Sequence, residues 1–381
     1  MLSKLRSLRP LNRRTMIYGA IATSTAIATG CGKDKTESTP KQQPSVEWTM
    51  VSFLKEDAKD LILYQAPQMV CDLIKQMSDG EFTITLDNSE NIATEDILKK
   101  VSDGDVQCGY SGIYYNDATY KVLFFGSAVP FGLTPQEQNA WLLYKKNPND
   151  KLTFMQGIYK ELDLNVIPFP AGGTGAQMGG WFNKEVKSPN GFNDLVMRIP
   201  GLGAEVLRDY FGVKLDENLP GGSIPITQIK NAFKEGKIKA AEWIGPYDDL
   251  QLGLHEVAEY YYYPGWWEPS TTFDVQVNIA AWDKLSSKYQ EIFKAACFET
   301  HTRILAEYDQ KNSEKLGEIL YLETSGQIKV RKFDNSIIKQ AKESTNSLLA
   351  GYAQDKTFKK VYEEWFDFKE RIRKWSDLSI M

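Results

Sequence analysis

The feature that most constrains the fold is a strict alternation of short apolar strands with amphipathic helices, beginning at Trp48. Trp48–Ser52 reads as a strand. Asp60–Ser78 places apolar residues at helical spacing and ends at Asp79-Gly80, a helix stop. Phe82–Leu86 alternates as a second strand, Glu95–Val101 is helical and ends near Asp103-Gly104, and Val106–Ser111 is a short buried strand. A βαβαβ start of this kind predicts a parallel sheet covered by helices. Ligands of such sheets lie beyond the carboxyl ends of the strands, where the loop Ser111–Asn116 (SGIYYN) falls. A second α/β unit starts around Asn165–Ile167 and runs through Gly179–Asn183, a strand Leu195–Ile199, helices Gly203–Phe211 and Ile226–Glu235, and a strand Lys239–Ile244. From Leu285 the pattern is mainly helical, with a strand-like piece at Gln327–Arg331 and a charged amphipathic helix at Phe358–Trp375. With 381 residues, the chain suits two lobes better than one core.

The first thirty residues stand apart from this pattern. Lys4, Arg6, Arg9, Arg13 and Arg14 precede a short, weakly apolar run from Met16 to Gly30, and no acid interrupts them. This is the order of a secretory signal, and the run is too short to span a bilayer. Ala28-Thr29-Gly30-Cys31 resembles the lipobox of bacterial lipoproteins, with Ala28 where Leu is usual, and makes Cys31 the expected lipidation site; a plain signal peptide is the alternative. Asn12–Met16 also resembles a twin-arginine signal, so export by Sec or Tat fits. Gly32–Val46 holds almost nothing that could be buried and reads as a flexible tether. Loss of residues 1–30 leaves 40 cationic and 50 acidic residues, a net charge of about −10. Nucleic acid is thereby disfavoured as a partner, because phosphate binding needs a basic footprint. Cys71, Cys108 and Cys297 form no metal or redox spacing; one disulfide with a leftover thiol or three free thiols both fit.

Catalytic motifs are missing. The two histidines, His255 and His301, sit among ordinary polar residues, and there is no nucleophile elbow, P-loop, zinc motif or G-x-G-x-x-G after the first strand. The residues suited to chemistry are suited to binding. Arg198, inside the apolar run Val196–Gly201, needs a partner: a ligand carboxylate gripped by two prongs, an internal salt bridge, or solvent at a strand end. Glu242 and Trp243 end a strand before Gly245-Pro246, placed either for a cleft or for ordinary packing. Tyr260–Glu268 (YYYYPGWWE) holds six aromatics in eight positions, which suits a wall that is part core and part pocket lining. Glu268 at its end would want a cation or strong donors.

Taken in order, AGGTGAQMGGWFNKE (171–185), VMRIPGLG (196–203), AAEWIGPYDD (240–249) and YYYYPGWWE (260–268) resemble the substrate-binding proteins of tripartite ATP-independent periplasmic (TRAP) transporters, in particular the branch that binds 2-oxo acids or lactate. The resemblance implies an α/β, two-lobed periplasmic binding protein fold with hinge strands and a long connecting helix. It places lobe I at 47–167 plus about 272–300, lobe II at 168–271 plus about 301–345, and a C-terminal helical segment at 346–381. Arg198 matches the carboxylate clamp. Gln177, Trp243 (through its carbonyl) and Glu268 match positions that hold a bridging metal; oxygen donors with one carboxylate suit Na⁺ or Ca²⁺. Tyr114 and Tyr115 match the tyrosines of the family's SYYY-like pocket loop, whose first two pocket-side positions depart here (Gly112 and Ile113), and Glu242 and Trp266 are the further candidates for the substrate pocket. The implied role is to carry a small monocarboxylate to a membrane permease, without catalysis, from a periplasmic and lipid-anchored position. The C-terminal helix is a possible homodimer contact. A module feeding a signalling receptor, or a periplasmic enzyme acting on a small acid, are the alternatives.

Overall fold

The computed structural model describes residues 45–89, 93–116, 119–215 and 224–379. The signal sequence, Cys31 and all but the last two residues of the tether lie outside them. Val46, assigned to the tether from sequence, instead opens the first strand: its amide donates to the Glu81 carbonyl (2.7 Å), so pairing to a neighbour orders it.

In chain order the elements are β1 (Val46–Ser52), α1 (Gln65–Met77), β2 (Phe82–Asp87), α2 (Ile97–Asp103), β3 (Cys108–Ser111), α3 (Pro135–Leu143), α4 (Phe154–Glu161), β4 (Val166–Gly173), β5 (Trp181–Phe182), β6 (Met197–Arg198), α5 (Gly201–Phe211), α6 (Ile229–Lys234), β7 (Ala240–Ala241), α7 (Pro246–Gln251), β8 (Tyr260–Tyr263), β9 (Thr272–Asn278), α8 (Ile279–Asp283), α9 (Ser287–Thr324), β10 (Lys329–Lys332), α10 (Asn335–Tyr352) and α11 (Lys356–Ser379). Helix α1 begins five residues after the start read from sequence. Pro67 lacks an amide hydrogen and is tolerated only in a first turn, so the preceding residues form a separate 3₁₀ turn, Ile62–Tyr64. Its end is as expected: Asp79 and Gly80 both take positive φ.

Among the described residues the strands form two five-stranded sheets. The first has the order β2-β1-β3-β9-β4, with β1 parallel to both β2 and β3, as the βαβαβ start predicts. Strand β9 is inserted antiparallel between β3 and β4. It enters from the opposite end because it returns from the second sheet. That sheet has the order β10-β8-β5-β7-β6. The chain leaves the first sheet at the end of β4 and re-enters it at the paired strand β9, and α9 then carries it back to β10 in the second sheet. Helix α9, with 38 residues and about 57 Å long at 1.5 Å per residue, packs on β4, α1 and α7 and reaches β10. Strands β6 and β7 are shorter than their apolar runs suggest. Pro200 has no donor to continue a ladder and Gly201 turns with φ 71°, so the chain passes directly into α5.

All three described cysteines are buried free thiols. Asp274, on the crossing strand β9, is buried too, and no hydrogen bond or ion pair links its carboxyl to a described residue. Burial alone pushes that carboxyl up to about 8, against about 3.9 in an unfolded chain. Between those values the folded state binds more protons than the unfolded state, so this group lowers stability as pH rises from about 4 to about 8. Asp274→Asn is therefore expected to match the wild type in urea denaturation near pH 4 and to exceed it at pH 8. Equal midpoints at pH 8 would refute this reading.

Candidate functional site

Arg198 ends β6, and in the parallel register its neighbour on β7 is Ala241, so Glu242 and Trp243 follow directly beside it. The side chain is buried at 2% exposure. Its Nε donates to the Ile224 carbonyl (3.3 Å), and Nη1 donates to both the carbonyl (3.0 Å) and the Oε2 (3.2 Å) of Glu242. The Trp243 ring lies 5.6 Å from the guanidinium carbon. Nη2 donates to no described residue. The internal salt bridge weighed from sequence thus exists, and it engages Nε and Nη1, the donors that would have to join Nη2 in a two-pronged grip on a ligand.

Facing this group is a second polar cluster. Glu268 Oε2 accepts from Thr271 Oγ1 (2.7 Å) and from Gln177 Nε2 (3.1 Å), which also lies near Thr271 Oγ1 (3.0 Å) and Thr174 Oγ1 (3.2 Å). Gly265 makes this approach possible. A Cβ there would sit 2.6 Å from the carbonyl oxygens of both Gln177 and Met178. The other amide atom, Gln177 Oε1, is buried without a partner, and no described donor reaches the Trp243 carbonyl. Burial pushes the Glu268 carboxyl up against the opposing pull of Thr271, Gln177 and Arg198. Glu242 is pushed up further, by burial and then by Glu268, with Arg198 pulling down.

The first sheet contributes the pocket loop as a 3₁₀ turn, Ile113–Asn116. The rings of Tyr114 and Tyr115 lie 4.6 Å apart, and Tyr114 also meets Phe273 on β9 edge-on (6.1 Å). Burial raises both hydroxyls; the Glu268 and Glu242 charges reach Tyr114, and Arg198 pulls Tyr115 down. Residues of the two sheets therefore converge: Tyr114 and Tyr115 from one, Gln177, Arg198, Glu242, Trp243 and Glu268 from the other. Trp266 is placed differently. Its ring stacks on Phe131 (5.3 Å) and packs on Trp267 and Phe211, and none of its ring contacts is with Arg198 or Glu268.

Sequence reasoning missed three participants. Thr174 and Thr271 orient Gln177 and Glu268. Asp248, in the first turn of α7, resembles an ordinary exposed acid at a helix start but is fully buried. Its Oδ1 accepts from the Ile62 amide (3.2 Å), and its Oδ2 from Trp243 Nε1 (3.3 Å) and the Tyr308 hydroxyl on α9 (2.8 Å). One carboxylate thus ties the Trp243 loop to the long helix and to the first lobe. Burial lifts it to about 6 despite these three bonds. Its neighbour Asp249 binds Trp181 Nε1 (3.0 Å) and the Tyr261 hydroxyl (2.8 Å).

No group of three or more His, Cys, Asp or Glu among the described residues could hold a metal ion. Any cation here would have to use amide, carbonyl and single-carboxylate oxygens, which suits a hard ion and fits the unpartnered Gln177 Oε1 beside Glu268.

The fold and this cleft define a bacterial solute-binding protein. Residues 55–355 match the family model described as bacterial extracellular solute-binding protein, family 7 (DctP), and the chain belongs to that family. It is 40% identical over 366 residues to the monocarboxylate 2-oxoacid-binding periplasmic protein of Nostoc sp., covering 96% of this chain and 95% of that one. Among solved structures it is similar to a TRAP transporter solute-binding protein from Bordetella bronchiseptica with calcium and picolinate bound (32% identity, TM-score 0.79, 88% of this chain and 95% of that one). It is also similar to TRAP periplasmic solute-binding proteins from Pseudoalteromonas atlantica, with sodium and pyruvate (30%, TM-score 0.77), and Colwellia psychrerythraea, with calcium and pyruvate (30%, TM-score 0.78), each covering 88% of this chain and 97% of that one.

The Asp248 junction makes a stability prediction. Asp248→Ala leaves three buried donors unpaired and is expected to cost about 3 kcal/mol or more, while Tyr308→Phe removes one bond and costs about 1 kcal/mol. Chemical denaturation of both variants checks this; equal losses would contradict the shared-hub arrangement.

Proposed function

We propose that this chain is the extracytoplasmic receptor of a TRAP transporter, capturing a small monocarboxylate, a 2-oxo acid such as pyruvate or the related lactate, between its two lobes for delivery to the membrane permease. One observation carries the reading. Within one buried cluster, the Nη2 edge of Arg198 and the unpartnered Gln177 Oε1 beside Glu268 offer one anion contact and one hard-cation contact together. Gln177 Oε1, the Glu268 carboxylate and the Trp243 carbonyl would hold Na⁺ or Ca²⁺. When bound, that ion supplies positive charge against which a keto or hydroxy oxygen can rest. Relatives with pyruvate and sodium or calcium support the same pairing. Glu242 backs Arg198 on its Nη1 side and the two tyrosines close the remaining sides, none of them carrying any step of a reaction.

The lobe boundaries read from sequence accompany this proposal, with β4 and β9 as the hinge strands. Lipidation of Cys31 after removal of residues 1–30 would hold the receptor at a membrane surface through the Gly32–Val46 tether, following export by Sec or Tat. Helix α11 is our candidate homodimer contact. It leaves Phe366, Trp375 and Leu378 exposed at 41%, 69% and 88%, unusual for large apolar side chains.

Calorimetric titration with pyruvate and lactate, with and without Na⁺ and Ca²⁺, tests the proposal. The folded wild type is expected to bind with a metal-dependent affinity. Glu268→Gln keeps the shape of the site and should remove the metal dependence; Arg198→Lys should weaken binding by about tenfold or more through loss of charge-assisted hydrogen bonds. Unchanged titrations in both variants would overturn the assignment, and product formed from either acid would replace it with a catalytic one.

A further inference from the structure

The donor inventory of Arg198 carries an inference about which acids the cleft accepts. A guanidinium has five N–H donors. The Nε donor goes to the Ile224 carbonyl, and Nη1 goes to the carbonyl and carboxyl oxygens of one residue, Glu242. Among the described residues, none takes the Nη2 edge. Glu242 is 2% exposed and Glu268 is 4% exposed, and among the described residues Arg198 is the cation whose charge acts on both carboxyls. The cluster therefore sets two buried acids against one base, with water largely excluded.

We propose that Glu242 is a specificity-determining residue: as an internal carboxylate on the Nη1 edge of Arg198, it leaves a single edge for the ligand and restricts the site to monoanions. This rests on the function proposed above and assigns Glu242 a role different from direct substrate contact. A monocarboxylate can use Nη2 and place its keto oxygen toward the Gln177–Glu268 side. A dianion of equal size finds no second guanidinium edge, and beyond what one bound cation can take up it adds negative charge beside two acids that already repel each other in a poorly screened site. Sterics alone would not discriminate such a pair. The neutral Glu242→Gln change keeps the side-chain length while removing one of the two acids.

Pyruvate and oxalate form the required pair, because oxalate replaces the pyruvate methyl by a charged oxygen at nearly the same volume. The experiment is calorimetric titration of both acids into wild type, Glu242→Gln and Glu242→Asp in sodium buffer without Ca²⁺, which oxalate would sequester. Circular dichroism of each variant verifies folding. The wild type is expected to prefer pyruvate by at least tenfold. Glu242→Gln should lower that preference at least fivefold. Glu242→Asp retracts the carboxylate but keeps its charge, so it should retain the preference; it also serves as the test should the Gln variant not fold. The inference is overturned by a wild type that binds oxalate as well as pyruvate, by an unchanged ratio in Glu242→Gln, by loss of pyruvate binding in that variant, which would make Glu242 a direct ligand contact, or by loss of the preference in a folded Glu242→Asp. A wild type that binds neither acid overturns both this inference and the function it rests on.

Discussion

The site depends on one buried cluster of charges. Arg198, Glu242 and Glu268 lie where water can do little to screen them, and isolated ions in such a place cost several kcal/mol each. The pairing of Arg198 with Glu242 offsets part of that cost, and Thr271 and Gln177 offset part of it for Glu268. What remains is an excess of acid, an amide oxygen without a donor and one open guanidinium edge. Such a cluster is poised to take a cation and an anion together. The same imbalance that is a liability for folding is what a metal-bridged carboxylate would relieve.

The fold brings this cluster together where β4 leaves the first sheet and β9 re-enters it. Thr174 lies just past the end of β4, and Thr271 just before β9, so the residues that orient Gln177 and Glu268 sit at the crossings themselves. Asp248 extends the connection outward. It holds the Trp243 indole, and through Tyr308 and Ile62 it reaches the long helix and the first lobe. Motion of one lobe against the other would therefore be felt at the residues that face the ligand.

Much of this was legible in the sequence, and the reasons differ by residue. The parallel β2-β1-β3 core follows from local periodicity, which dominates when strands and helices alternate at short range. The antiparallel insertion of β9 does not, because it depends on where a distant segment returns. The motif resemblance brought Gln177, Arg198, Trp243 and Glu268 to notice, and the structure gathers them at one cleft. The partner of Arg198 could not be read, since Glu242 is 44 residues away and becomes its neighbour only through the β6–β7 pairing. Asp248 was hidden for a similar reason: an acid in the first turn of a helix usually faces water, and only the tertiary packing of α7 against α9 buries this one.

The most direct test of the central claim is the position of a bound ion. In a crystal grown with Ca²⁺ and pyruvate, the account predicts an anomalous peak about 2.3–2.6 Å from Gln177 Oε1, a Glu268 carboxylate oxygen and the Trp243 carbonyl, with the ligand carboxylate on the Nη2 edge of Arg198. A ligand held away from Arg198, or a cleft that binds pyruvate with no ion at those three oxygens, would contradict it.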